Sequence, residues 1–326
     1  MLRSSKPARF ALLALALAAC VALSPLGTEA DVTTAYRALT TTRPVVLVGN
    51  SVIDHVSKCD GDRRTIPDLL AADLGRPVVD FSYGGQGLAE AAVFSWAALR
   101  NPRVDHVIVP VTLFELADRP HLPFPRTAFF RLIDPGLELE SPREWIRMSL
   151  SDEPAVPRGE SFSYGGRRYP DANGLGPTYE QVEKDHMPCP EHDGFDRTFV
   201  EAYYHHSYLG APVRQEQLSL LAKLDREAKR RGKALTIVLL PIDYELIESL
   251  SKTMQAAVRQ LSAEALAQAR GHGVAMVDLT PLLPNEDFAD RYCGCGHLLD
   301  SGRHRLARSI AAAVEARDRR FGSAGS

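Results

Sequence analysis

Val45-Val46-Leu47-Val48-Gly49-Asn50-Ser51 is an apolar run that stops abruptly at a Gly-Asn-Ser turn. A short continuous apolar run bounded by turn residues reads as a buried parallel strand. The residues after it support that reading. From Thr65 to Leu74, residues Ile66, Leu69, Leu70 and Leu74 share one helical face, and Gly75 closes the helix. Pro77 to Phe81 reads as a second strand, ending in Ser82-Tyr83-Gly84-Gly85-Gln86-Gly87. Leu88 to Leu99 is a helix, and Val104 to Val111 a third strand. Further along, helices are expected at about 213–231 and 246–271, strands at Ala234–Leu240 and Val274–Leu279, and a last helix from Arg303 to Val314. Strands alternating with helices imply a parallel sheet covered on both faces. The expected fold is therefore α/β, a three-layer α/β/α sandwich with a central parallel sheet.

The middle of the chain breaks this rhythm. From about 119 to 212, prolines and glycines are frequent and periodicity is weak, which marks a long insertion after the third strand. Trp145, Tyr164, Tyr169, Tyr203 and Tyr204 give it apolar material of its own. The domain reading is a leader over residues 1–30 and one α/β domain over 31–326 that carries the insertion.

Arg3, Lys6 and Arg9 precede an apolar stretch from Phe10 to Leu23, the pattern of an export signal. Leu17-Ala18-Ala19-Cys20 matches a lipoprotein processing site, and Thr28-Glu29-Ala30 a signal-peptidase site. An uncleaved anchor is the third reading. Each places the folded part outside the cytoplasm (periplasmic, membrane-attached or secreted). Apart from Cys20, the cysteines are Cys59, Cys189, Cys293 and Cys295, an even number that suggests disulfides in an oxidising compartment. Cys59 paired with Cys293 or Cys295 is the favoured bridge. A metal site from Cys293, Cys295 and His297 is the rival, weakened by the lack of a second Cys/His pair with zinc spacing. No metal and no cofactor are implied. The 326 residues carry a formal net charge of -3, which argues against a nucleic-acid surface. There is no Gly-rich phosphate loop and no internal repeat.

Ligands of open α/β sheets bind beyond the carboxyl ends of the strands. Ser51 stands at such an end. His297, in Gly296-His297-Leu298-Leu299-Asp300-Ser301-Gly302, stands at the head of the last helix. A serine hydroxyl is a weak nucleophile until a base takes its proton, and a histidine titrates in the range where it can do so. Plainer readings compete. Ser51 or Asp54 could cap a helix, as could Asp243 in Pro241-Ile242-Asp243-Tyr244. His297 could be a capping or surface residue. His186, His192, His205 and His206 read as solvated loop histidines.

With these blocks in order, the α/β parts of the chain, roughly 44–118 and 213–316, resemble the SGNH/GDSL hydrolase superfamily. Gly49-Asn50-Ser51 stands where that family has Gly-Asp-Ser, and Gly84-Gly85 where it has its oxyanion glycine. His297-Leu298, with Gly302 downstream, matches its last block. There are two departures. The family's asparagine after the third strand is missing from Val109-Pro110-Val111-Thr112-Leu113-Phe114, where Thr112 is the available hydroxyl. The aspartate three residues before the histidine is replaced by Gly294, and Asp290 is the nearest upstream carboxylate.

The resemblance implies a serine esterase with Ser51 as nucleophile, His297 as base and acid, and Gly85 at the oxyanion. Where the chain departs from the family, Thr112 could supply a hydroxyl to the oxyanion and Asp290 could orient His297, with a Ser–His dyad as the alternative. Its expected substrate is an acylated small molecule or polysaccharide, acted on outside the cytoplasm. An O-acyltransferase is the alternative within the enzyme class. A degenerate, non-catalytic carbohydrate-binding or assembly protein is the alternative outside it.

Overall fold

The computed structural model describes residues 27–56, 60–83, 86–117, 163–164, 167–168, 204, 212–289 and 296–324. The elements in chain order are α1 (Gly27–Thr40), β1 (Val45–Leu47), α2 (Ser51–Asp54), α3 (Ile66–Leu74), β2 (Val78–Asp80), α4 (Leu88–Arg100), β3 (His106–Val111) and α5 (Leu113–Ala117). After the insertion come α6 (Gln215–Arg230), β4 (Ala234–Leu239), α7 (Tyr244–Leu250), α8 (Lys252–Gly271), β5 (Met276–Asp278) and α9 (Asp300–Ala324). The strands form one sheet in the order β2-β1-β3-β4-β5, with every neighbouring pair parallel. In this doubly wound order the chain reverses direction across the sheet between β1 and β3, which opens a crevice at their carboxyl ends.

Strand alternation divides the core in two. Val46, Val48, Val107, Val109, Val111, Leu235, Ile237 and Leu239 pack with α1, α4, α6, α7 and α8. Val45, Leu47, Ile108, Val238 and Leu240 face the other way, onto α2, α3 and α9. The result is the three-layer sandwich, each strand residue choosing its layer by parity.

Local signals set the helix ends. Thr65 and Asp68 form a reciprocal capping box at the start of α3, and Gly75 ends it at φ 62°. The single helix expected over 246–271 is two. Ser251 takes an extended conformation (φ −163°, ψ 124°), closes α7, and accepts from the Met254 N–H to start α8. Its hydroxyl offers the backbone a cap that competes with helix continuation. The last helix runs past Val314, where its apolar pattern stops, because ion pairs hold the polar half. Arg317 meets Asp225, and Asp318 meets Arg76 and His106. His106 is fully buried at the start of β3. Its Nδ1–H donates to Asp318 (2.7 Å), and its Nε2 accepts from the Thr236 hydroxyl of β4 (2.8 Å).

The insertion leaves and rejoins the domain at one place. The Arg214 N–H donates to the Leu116 carbonyl (2.9 Å), and its guanidinium to that of Ala117 (2.6 Å). Within the insertion, Tyr204 is buried in the larger core, and Ser163–Tyr164 pairs with Arg167–Arg168 as a short antiparallel ladder. Among the described residues, no helix is long and apolar enough to cross a membrane. The expected leader segment Phe10–Leu23 and all five cysteines lie outside the described residues.

The least expected feature is Arg303, fully buried in the first turns of α9. Its guanidinium pairs with the buried Asp60 carboxylate and donates to the carbonyls of Asp62, Arg64 and Leu298. Removing one partner of a buried ion pair strands the other charge in a dry environment and costs about 3–5 kcal/mol. Arg303→Met should therefore destabilise the protein by about that amount. Asp60→Leu combined with Arg303→Met should recover part of the loss, as read by denaturant unfolding.

Candidate active site

The site is assembled at the carboxyl ends of β1 and β2. Past Leu47, the backbone turns at Gly49 into α2. Gly49 is required there by space, since a Cβ at this position would stand 2.9 Å from Ile53 Cγ1. The Gly49 N–H donates to Ser82 Oγ (2.8 Å), and the Ser82 N–H donates to Asp80 (2.8 Å) at the tip of β2. The Gln86 amide, oriented to donate, bridges the carbonyls of Gly49 and Phe81. Asn50, not Ser51 or Asp54, caps α2, accepting from the Val52 N–H at 3.0 Å. Ser51 is thereby released from capping and opens the helix half-exposed. Asp243 does take the capping role considered for it, accepting from the Leu246 N–H (2.9 Å) and from the Asn285 side chain (2.6 Å).

His297 arrives from the other end of the chain. The Ala289 N–H donates to the His297 carbonyl (2.8 Å), and the Leu299 N–H to that of Asp287 (2.9 Å). Phe288 and Leu298 form the antiparallel bridge between these segments. Gly296, at φ 85°, bends the chain into this register. Gly302 lets the head of α9 sit against it, because a Cβ there would lie 2.6 Å from the Asp287 carbonyl oxygen.

The outcome is a contact across 246 residues of sequence, with His297 Nε2 3.0 Å from Ser51 Oγ. With the ring proton on Nδ1, the Ser51 hydroxyl donates to Nε2, the geometry a base needs to take that proton. The His297 ring is almost completely buried. Burial pushes its proton affinity well below the ordinary imidazole value, and the neighbouring His55 adds to the effect. The resting imidazole is therefore neutral and able to accept. His55 packs on it with ring centroids 4.6 Å apart and planes tilted by 43°.

The other expected site residues fall as follows. The Thr112 hydroxyl donates to the buried Glu115 carboxylate at 2.7 Å, as does the Thr112 N–H. Its proton is thus already committed within the α5 cap. Gly85 lies outside the described residues, as does Gly84. The flanking Gln86 N–H donates to the Tyr83 carbonyl at 3.2 Å. Asp290 also lies outside the described residues, as do His186, His192, His205 and His206. Sequence reading missed Ser82, Gln86, Arg303 and His55. Only His55 left a signal, its spacing four residues beyond Ser51.

Neither a family model nor a curated protein matches the chain. Solved structures are similar in outline. A lipase/acylhydrolase from Enterococcus faecalis is 9% identical with a TM-score of 0.38, covering 84% of this chain and 96% of its own. A GDSL-like lipase from Bacteroides thetaiotaomicron is 11% identical with a TM-score of 0.39, covering 89% and 97%. A catalytic mutant of an acetylxylan esterase from Geobacillus stearothermophilus is 13% identical with a TM-score of 0.40, covering 83% and 94%.

Asp80 gives this site a testable pH signature. Burial pushes its carboxyl up to about 6, against the Ser82 hydrogen bonds that lower it, and the Asp54 and Asp68 charges add to the rise. A folded-state value above the unfolded one contributes stability below the unfolded value of about 4, and this is lost as pH rises through about 6. Asp80→Asn keeps an acceptor for the Ser82 N–H and removes the buried charge. It should raise Tm by a few degrees near pH 8, with the gain vanishing near pH 4, as followed by thermal denaturation.

Proposed function

We propose that this protein is a serine esterase of the SGNH type, working through an acyl-serine intermediate. The observation that carries the reading is the 3.0 Å contact between Ser51 Oγ and the buried His297 Nε2 at a strand tip. Ser51 attacks the ester carbonyl carbon while His297 takes the hydroxyl proton. The tetrahedral intermediate collapses, and His297 returns the proton to the departing alkoxide. Water, deprotonated by the same imidazole, then attacks the acyl carbon and releases the carboxylic acid with Ser51 regenerated.

The Ser51 N–H lies in the first turn of α2, where helical N–H groups have no acceptor within the helix. With Gly85 it is proposed as the oxyanion donor pair. Such a donor contributes about 3 kcal/mol to the transition state. Asp290 is proposed to orient His297. The export-type leader and the family resemblance support an acylated carbohydrate or small ester outside the cytoplasm as the substrate.

A fluorophosphonate probe should label the wild type and leave Ser51→Ala unlabelled. Ser51→Ala and His297→Ala should each lower kcat on a short-chain aryl ester by about 10⁴-fold or more. Labelling of Ser51→Ala at the wild-type rate would reject the assignment. Asp290→Asn separates a triad from a dyad. A loss in kcat of about 10³–10⁴-fold without loss of Tm is expected for an orienting carboxylate, and unchanged turnover would leave the dyad alone.

A further inference from the structure

We propose that His55 is a positioning residue for His297, its ring packed against the imidazole so that Nε2 stays directed at Ser51 Oγ. This rests on reading Ser51 and His297 as nucleophile and base. The geometry begins with α2. The His55 N–H donates to the Ser51 carbonyl at 2.8 Å, so the two residues stand one helical turn apart. Residues at i and i+4 share a helix face. His297 is laid over that face and touches both, Ser51 Oγ at 3.0 Å with Nε2 and the His55 ring at a centroid separation of 4.6 Å. Ser51 opens α2 and His55 caps its C-terminal end, so one turn of chain carries both the group His297 serves and the ring it packs against.

The contact restrains the one freedom that matters. The backbone ladder with Phe288 and Ala289 fixes the His297 main chain, but its side-chain torsions set where Nε2 points. A neighbouring ring with its centroid 4.6 Å away narrows those torsions. His55 is itself buried, so it cannot swing away without opening the core around Val52 and Ile53.

With the ring centroids 4.6 Å apart, a charge on one imidazole also opposes a charge on the other. His55 therefore opposes premature protonation of His297, in line with the lowered proton affinity of that ring. Among the described residues, the ionisable groups facing the pair are acidic. Asp54, on α2 beside His55, has its own carboxyl raised by burial and lowered by the His55 charge. Asp80 at the end of β2 and Asp68 on α3 lie beyond it and interact with one another.

The test compares His55→Ala and His55→Phe with wild type, Ser51→Ala and His297→Ala, using p-nitrophenyl acetate across pH. Circular dichroism and Tm identify variants that fold. His55→Ala should lower kcat at least about tenfold with KM changed less than about threefold. His55→Phe, which restores a ring without a charge, should regain most of that kcat at high pH. Its acid limb in kcat/KM should move to higher pH, because the base loses a neighbour that opposed its protonation. Wild-type kcat and an unshifted acid limb in both variants would overturn the inference while leaving the nucleophile and base intact. So would His55→Phe being as impaired as His55→Ala. Wild-type turnover by Ser51→Ala would instead overturn the reading beneath it. Should His55→Ala fail to fold, His55→Leu, which fills the space without a ring, takes its place, and wild-type kcat in it would overturn the inference.

Discussion

A guanidinium buried away from water must find partners for its donors, and Arg303 finds them in separate pieces of chain. It binds the carboxylate of Asp60, the carbonyls of Asp62 and Arg64 in the loop before α3, and the carbonyl of Leu298 beside His297. The Leu298 carbonyl is buried, and leaving it without a donor would cost about 1–3 kcal/mol. The segment after Ser51 and the segment that presents His297 are thus tied to one side chain. The head of α9 is fixed in the same step, since the Arg303 N–H also donates to the Leu299 carbonyl. The two halves of the site are not brought together by sheet hydrogen bonds, because His297 belongs to no strand of the main sheet. They meet where Arg303 and the antiparallel bridge at Phe288 and Leu298 hold the segment that carries His297.

The serine side is held by a different logic. Asp80, Ser82 and Gln86 bond the tip of β2 and the following turn to Gly49, so the turn into α2 is anchored to its neighbouring strand. Anchoring by short polar side chains leaves the Ser51 hydroxyl unspent, and Asn50 absorbs the capping duty that would have consumed it. Burial then makes His297 a neutral base. The same burial raises the free energy of the imidazolium formed when Ser51 attacks. A reacting centre with these properties needs groups that orient the ring and accept the transient charge. That is the chemical reason the surroundings of His297 matter as much as its contact with Ser51.

Much of this is legible in the sequence, for identifiable reasons. The apolar runs at 45–48, 107–111 and 237–240 read as buried on both faces, so the parallel sheet follows from them. Ser51 and His297 stand at places that an open α/β sheet brings to one edge. The break at Ser251 is hidden because apolar spacing continues through it, and one hydroxyl decides the matter locally. The polar half of α9 is hidden for the opposite reason. It has no apolar stripe, and its partners Asp225, Arg76 and His106 are remote in sequence. Arg303 reads as a surface residue in the string Arg303-His304-Arg305, and only tertiary structure shows that it points inward. His55 stands four residues past the nucleophile, a spacing visible in the sequence, but a four-residue helix is too short to announce itself by periodicity, so that spacing gains its meaning only from the fold.

The central claim is that Ser51 becomes acylated with His297 as its base. The most direct measurement is rapid-quench mass spectrometry, under acidic quench, of the protein mixed with p-nitrophenyl acetate. A slow-deacylating aryl carbamate is run in parallel, so that fast deacylation does not hide the adduct. The account predicts a burst of nitrophenol that matches the protein concentration, together with a mass increase of one acyl group on the peptide carrying Ser51. The adduct should fail to form in His297→Ala. Turnover with the carbamate carried on another residue, or on none, would contradict the account.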